Sequence, residues 1–264
     1  MDANQYLTDY YNRDGEDGRL ASRHGSVEFL TTMRYIGRYV KPGDRIIEIG
    51  AGTGRYSHAL ARQGYSVDAV ELVQHNIDVF QRYTEPDEQI TITQGNAMDL
   101  SGFADDAYEI ALLLGPMYHL FTKEDKQKAL REAIRVTKRG GVVFVAYCIS
   151  DASILVSGFK RKAFSITEFI EKGFIDPRTF SASSEPALLF EIVRKEHIDE
   201  LMSALPVTRL HYVATDGYAF HMSSEIDSMD NAEFDLFMQY HFATCERGDM
   251  AGLTAHSLDI FRKD

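Results

Sequence analysis

From Ser26 to Tyr147 two hydrophobic rhythms alternate along the chain. Val27, Leu30, Met33, Ile36 and Val40 recur at helical spacing, and the KPGD turn from Lys41 to Asp44 leads into a short apolar strand containing Ile46, Ile47 and Ile49. A glycine-rich turn follows, then a helix over Arg55 to Gln63 stopped by Gly64. The same alternation predicts a strand from Ser66 to Glu71, a helix from Val73 to Tyr83, and strands from Gln89 to Thr93 and Tyr108 to Leu114. Thr122 with Asp125 signals a helix start, the helix runs through Val136 to a stop at Arg139–Gly141, and a fifth strand covers Val142 to Tyr147. Strand and helix in regular alternation make a mostly parallel α/β sheet with helices on both faces. Right-handed crossovers put the C-terminal ends of its strands on one edge, where Gly50, Glu71, Asn96 and Gly115 meet.

The rhythm breaks after Cys148. Helical patterns at Ala152–Arg161 and Ile166–Lys172, a strand-like Leu188–Val193 and a helix around His197–Leu205 read as a lid inserted after the fifth strand. A strand from Val207 to Ala214, a helix from Ala232 to Arg247 and a last strand near Ser257–Arg262 complete the chain. The organisation is one domain of 264 residues: arm and helix over 1–40, core over 41–147, inserted lid over 148–205, and completing strands and helix over 206–264. The first two dozen residues, with Tyr6, Tyr10, Tyr11 and the RDGEDGR stretch from Arg13 to Arg19, read either as an arm packed on the domain or closing over its site, or as a loose terminus.

Composition narrows the class of partner. Asp plus Glu outnumber Lys plus Arg by 40 to 28, a net charge of −12, which works against nucleic acid and anionic membrane. The only cysteines, Cys148 and Cys245, lack disulfide-framework or zinc spacing. Met1 to Tyr11 is polar and acidic and no apolar run approaches ~18 residues, so the expectation is a cytoplasmic protein without signal peptide or membrane span. The oligomeric state stays open.

The chemistry centres on Arg45–Ser57. Gly50, Gly52 and Gly54 permit positive φ and close backbone approach, while Glu48 interrupts the apolar strand, so a cation is expected to meet it. Glu71 lies 23 positions beyond Glu48, near the spacing at which α/β nucleotide folds set a carboxylate on ribose. A dinucleotide fingerprint counted from Gly50 would need its third glycine at Arg55, a poor fit.

ExGxGxG, Glu48 to Gly54, resembles the first motif of the class I S-adenosylmethionine-dependent methyltransferases. The resemblance implies a doubly wound, Rossmann-like sheet of seven strands, six parallel and the last antiparallel, with the lid between strands five and six. It implies S-adenosylmethionine as cofactor: Glu48, Gly50, Gly52 and Gly54 hold the methionine moiety, Glu71 the ribose, and Asn96 and Ala97 the adenine. Ala51, Leu72, Leu114 and Gly115 complete that set, and Asp99 is an alternative to Asn96.

The segment after the fourth strand is where this family places residues facing the methyl group, so Tyr118 and His119 are the catalytic candidates, His119 as a proton acceptor. LeuGlyProMetTyr at Leu114–Tyr118 lacks the motifs of DNA methyltransferases, and a small-molecule acceptor is expected. Phe159, Phe164, Phe169, Phe174, Phe180 and Phe190 either line a pocket for that acceptor or form the insertion's own core. Lys160, Arg161 and Lys162 read as a solvated face or a greeting for an anion. His241 and Cys245 share a helix face but have no third ligand, so no metal is expected; His211, His221 and His256 remain unranked. The alternatives are a cofactor-binding sensor without turnover, a protein methyltransferase, and a dinucleotide oxidoreductase.

Overall fold

Strict alternation of side chains fixes the centre of the sheet. In the computed structural model, which describes residues 3–12 and 22–264, β1 (Arg45–Ile49), β2 (Ser66–Glu71), β3 (Ile90–Gln94) and β4 (Tyr108–Leu113) are joined through α3 (Arg55–Ala61) and α4 (Gln74–Tyr83). Ile46, Ile110 and Leu112 point to one face with Tyr56 and Leu60 of α3, whereas Ile47, Ala111 and Leu113 point to the other. That second face meets Ala129, Leu130 and Ala133 of α5 (Lys123–Val136). The N-cap of α5 is Thr122, whose hydroxyl accepts from Asp125 N at 3.1 Å, as its sequence signal predicts.

The sheet order is β3-β2-β1-β4-β5, then the last strand β8 (His256–Lys263), then β7 (Val207–Ala214). Pairs β1–β2, β1–β4, β2–β3 and β4–β5 are parallel; β5 (Thr137–Ile149) and β7 both run antiparallel to β8. Along this path six strands run parallel and one is reversed, as the resemblance implies, and a two-residue strand, Ile192–Val193, pairs parallel with β5 off the path. β5 is longer than its apolar run: the chain leaves α5 directly into pairing, with Tyr108 opposite Thr137, and a register shift absorbs the glycines. Gly141 must be glycine there, since a Cβ would lie 2.7 Å from the Glu109 carbonyl oxygen.

The segment between β5 and β7 departs further. It starts as α6 (Ser150–Ser153), widens to a π-helix over Ile154–Lys160, continues in α7 (Ile166–Glu171), and returns through β6 and α8 (Lys195–Ser203). Only Ile192–Val193 forms strand β6, beside Cys148 and Ile149 of β5; Pro186–Leu188 is a 3₁₀ turn, which shortens the predicted Leu188–Val193 strand. Ile198, Leu201 and Met202 of α8 join the α5 side of the core. On the opposite side α2 (Arg23–Ile36) packs near α9 (Ser223–Ser228) and α10 (Asn231–Thr244), and α1 (Ala3–Tyr11) lies across the C-terminal edge. The Arg13–Arg19 stretch lies outside the described residues. No helix among the described residues is long and apolar enough to cross a membrane.

Candidate active site

The turn after β1 holds Gly50 at φ 77°, Gly52 at 56° and Gly54 at 93°. Gly50 N and Ala51 N both donate to the Val70 carbonyl, at 2.8 and 3.0 Å, which hooks the turn onto the end of β2. A Cβ on Gly50 would come within 2.5 Å of Pro116, so this turn and the loop after β4 fit together only with glycine. Gly54 sits lower: its Cβ would strike Phe80 at 2.5 Å, and the residue shapes the turn without lining the cavity above.

That cavity encloses about 670 Å³ along the C-terminal edge. Glu48, only 2% exposed, lines it, with the Ser57 hydroxyl donating to its carboxylate. Burial pushes the Glu48 carboxyl up to about 8; the Ser57 hydrogen bond opposes this and the nearby Glu71 adds to it. No Lys, Arg or His among the described residues forms an ion pair with it. The cation that the sequence demands is therefore not supplied by the described part of the chain. Glu71 is better served: Gly52 N donates to Oε2 at 2.8 Å, Val73 N to Oε1 at 2.9 Å, and Asn76 Nδ2 to Oε1 at 3.2 Å. Three donors orient the carboxylate and leave acceptor capacity on Oε2. Asn96 Oδ1 accepts from Met98 N at 2.9 Å, so its amide nitrogen is the group available to read a purine edge. Asp99 is exposed and turns inward on Ser101 N, outside the cavity lining.

Tyr118 and His119 form the far wall. The Tyr118 hydroxyl donates to the Leu114 carbonyl at 2.8 Å. His119 Nδ1 lies 2.8 Å from the Leu189 carbonyl oxygen and must donate to it, which makes Nε2 the acceptor of the Tyr11 hydroxyl at 3.1 Å. Burial lowers the His119 pKa to about 4, against the opposing bond to Leu189. The ring is thus neutral and ties α1 to the insertion.

A second cavity of about 420 Å³ lies on the other side of Tyr118, which lines both. Phe164, Phe169, Phe174 and Phe190 of the insertion, Tyr10 of α1 and Phe220 give it an aromatic wall. Phe164 and Phe169 sit 4.7 Å apart between ring centres, and Tyr10 meets Phe190 edge-on at 5.8 Å. Its polar end carries Cys148, Ser153, Ser157 and His256.

Residues 47–145 match the model of a family described as methyltransferase domain. A demethylmenaquinone methyltransferase of Lysinibacillus sphaericus is 28% identical over 133 residues, covering 49% of this chain and 53% of that protein. A glycine/sarcosine N-methyltransferase of Aphanothece halophytica is 28% identical over 158 residues, covering 59% and 54%. The chain spans about half the length of these curated relatives. A solved structure from Pyrococcus horikoshii shares the fold at a TM-score of 0.63 and 14% identity, covering 97% of this chain and 99% of that one.

Residues 47–145 form a class I S-adenosylmethionine-dependent methyltransferase domain.

The cofactor of that family is S-adenosylmethionine, and the first cavity of the methyltransferase domain fits it. The buried, un-ion-paired Glu48 suits an ammonium, and Glu71, oriented by backbone donors, suits a sugar hydroxyl. Glu48, Gly50, Ala51, Gly52, Glu71, Leu72, Asn96, Ala97, Leu114, Gly115, Tyr118 and His119 all line this one cavity; Gly54 alone of the predicted set stands beneath it. Phe159 and Phe180 face solvent at 54% and 37% exposure, so only part of the aromatic set builds the second cavity. Lys160, Arg161 and Lys162 are exposed, as a solvated face would be, and Lys160 and Arg161 also donate to the carbonyls of His221 and Phe220, which staples the insertion to the loop after β7. His241 bonds Thr31 at 2.9 Å and Cys245 lies beside Tyr35, so their shared helix face is packing. Glu28, Asn76 and Asp216 escaped the sequence reading, because each gains its place only through a neighbour distant in the chain or a turn of helix onset.

Proposed function

We propose that this protein transfers a methyl group from S-adenosylmethionine to a small-molecule acceptor held in the aromatic cavity. The observation carrying this reading is that two cavities share Tyr118 as a wall: one is lined by the cofactor motif, the other is aromatic and walled in large part by the insertion. A sensor without turnover would have no need of the second cavity. The relatives named for demethylmenaquinone and for glycine and sarcosine also act, by those names, on small molecules.

The cofactor supplies an activated methyl on a sulfonium, so the residues here position groups and exclude water. Glu48 pairs with the ammonium, Glu71 accepts from the ribose and Asn96 donates to the adenine. The backbone at Gly50 and Gly115 lies close because neither residue carries a side chain there. Tyr118, which lines both cavities, borders the place where donor and acceptor would meet, its hydroxyl being committed to Leu114. His119 fastens α1 and the 189 carbonyl together over the site, so its role is closure and positioning instead of proton removal. The insertion acts as the lid.

Calorimetry with S-adenosylhomocysteine, followed by a screen for its formation from S-adenosylmethionine with small aromatic acceptors, tests the reading. Binding with acceptor-dependent turnover is the expected outcome. Absence of binding overturns it.

A further inference from the structure

The second cavity differs from the first in the charges that line it. Among the described residues no Asp, Glu, Lys or Arg lines the second, whereas Glu48, Arg55 and Glu71 line the first. Ionic side chains of the surrounding insertion are answered outside the lining: Asp151 by Arg194 at 2.9 Å, and Glu191 by Lys126 at 2.5 Å. His256 does line the cavity, and its Nδ1 already has Asp216 Oδ2 at 2.8 Å and Glu28 Oε2 at 3.4 Å. Its charge is met within the protein. An ammonium or a carboxylate entering here would shed its water without gaining an ionic partner, and the pull of aromatic faces on a cation is weaker than that loss.

The hydroxyls that line this cavity share a second property. Ser153 Oγ donates to the Ile149 carbonyl at 2.8 Å and Ser184 Oγ to the Phe190 carbonyl at 2.9 Å. Ser183 Oγ is spent likewise on the Gly173 carbonyl at 3.3 Å, and the Tyr118 hydroxyl on Leu114. A hydroxyl has one hydrogen and two lone pairs, so with the hydrogen held by a backbone carbonyl it offers only acceptor capacity. Ser153 sits on α6 and Ser184 just before the 3₁₀ turn, so the acceptors stand on separate parts of the wall. A molecule that suits them brings hydrogen-bond donors and brings them without charge. An aliphatic amine fails the second condition near neutral pH, and a hydroxyl on an aromatic ring meets both. Its ring also suits the phenyl groups that make up the rest of the wall.

We propose that the second cavity takes an uncharged phenolic molecule, its ring among Phe164, Phe169 and Phe190 and its hydroxyl donating to Ser153 or Ser184. That this molecule is the methyl acceptor rests on the methyl-transfer reading above. Recognition alone is involved: no covalent bond is made or broken on binding.

The experiment uses the full chain saturated with S-adenosylhomocysteine near neutral pH, and probes that share one naphthalene body: 2-naphthol, 2-methoxynaphthalene, 2-naphthoate and 2-naphthylmethylamine, the last two charged. Calorimetry is expected to show 2-naphthol binding about fivefold or more tightly than the methyl ether, which lacks the donor, and about tenfold or more tightly than either ion. Ser153→Ala or Ser184→Ala is expected to narrow the preference for 2-naphthol over the ether, with the ether's own affinity kept within about twofold. No binding of 2-naphthol, equal or tighter binding of the ether or of either ion, or a preference unchanged in both serine variants overturns the proposal. The wild-type probe series stands even if a variant fails to fold. Failure of S-adenosylhomocysteine itself to bind brings down the methyl-transfer reading, and the same probes without it still decide what the cavity prefers; its binding without a preference for 2-naphthol brings down this proposal alone.

Discussion

The two cavities are made by opposite means. The cofactor side is largely backbone: three glycines at positive φ, amides of Gly50 and Ala51 hooked to Val70, and Gly52 and Val73 amides on Glu71, all within about thirty residues of chain. The second cavity is lined by side chains from α1, the insertion, the loop after β7 and the start of β8. The first kind of site tolerates almost no change in main-chain shape and many changes of side chain elsewhere. The second can be re-lined ring by ring, which is how one cofactor site serves many acceptors.

The sharpest way to break this contrast is Gly54→Val. With φ at 93° and Phe80 at 2.5 Å, it is expected to cost roughly 3 kcal/mol or more, read by urea unfolding. Gly43→Ala, at φ 88° but with nothing near its Cβ, is expected to cost only about 1 kcal/mol. Equal losses would mean that packing beneath the turn does not matter.

At the far wall of the first cavity, His119 gives a pH signature. Its folded pKa of about 4 lies below the usual 6.5, so the unfolded chain binds the proton more readily. Its contribution to stability is intact above about pH 6.5, falls as pH drops toward 4, and is level below that, a loss of about 3 kcal/mol. The difference in stability between wild type and His119→Gln should shrink across that window. A flat difference would remove the buried, neutral histidine from the picture.

Glu71→Gln is expected to weaken S-adenosylhomocysteine about tenfold to a hundredfold, the effect of losing a charge-assisted hydrogen bond. The turn should loosen only in part, because the glutamine oxygen keeps one of the amides at Gly52 and Val73, which sit on different carboxylate oxygens, while its NH2 faces the other. Calorimetry and a thermal melt on the same sample separate the two readings.

The smallest effect is a count of protons. With its pKa at about 8 Glu48 is largely protonated at pH 7, and pairing with an ammonium pulls that pKa down. Ligand binding near neutral pH should therefore release up to about one proton, and affinity should rise as pH goes from about 7 to 8. Heats measured in buffers of different ionisation enthalpy give the number, and Glu48→Gln should abolish it.

Legibility in the sequence follows the same division. The order of β1 to β5 and the line from Glu48 to Gly115 are written in local periodicity and glycine placement, and the structure puts the predicted cofactor residues, Gly54 aside, around one cavity. The π-helix at Ile154–Lys160 carries apolar spacing that an α-helix also satisfies, so it read as one. Gly140 and Gly141 read as a helix stop because nothing local distinguishes that from a bulged strand entry. His256 could not be ranked above His211 or His221, since what sets it apart is Glu28 and Asp216, 228 and 40 positions away. Tyr11 and Leu189 likewise meet His119 only in the fold.

The placement of β8 carries a consequence for how the molecule comes into being. It is the last strand along the chain yet lies between β5 and β7, hydrogen-bonded on both sides. The strands that hold the glycine turn pair with neighbours close in sequence, so that half can organise early, while β5 waits more than a hundred residues for its partner. During synthesis one edge of the sheet stands open until His256–Lys263 arrives, a stretch during which β5 is exposed to wrong pairings. The same strand delivers His256, so closing the sheet and completing the lining of the second cavity are one folding event.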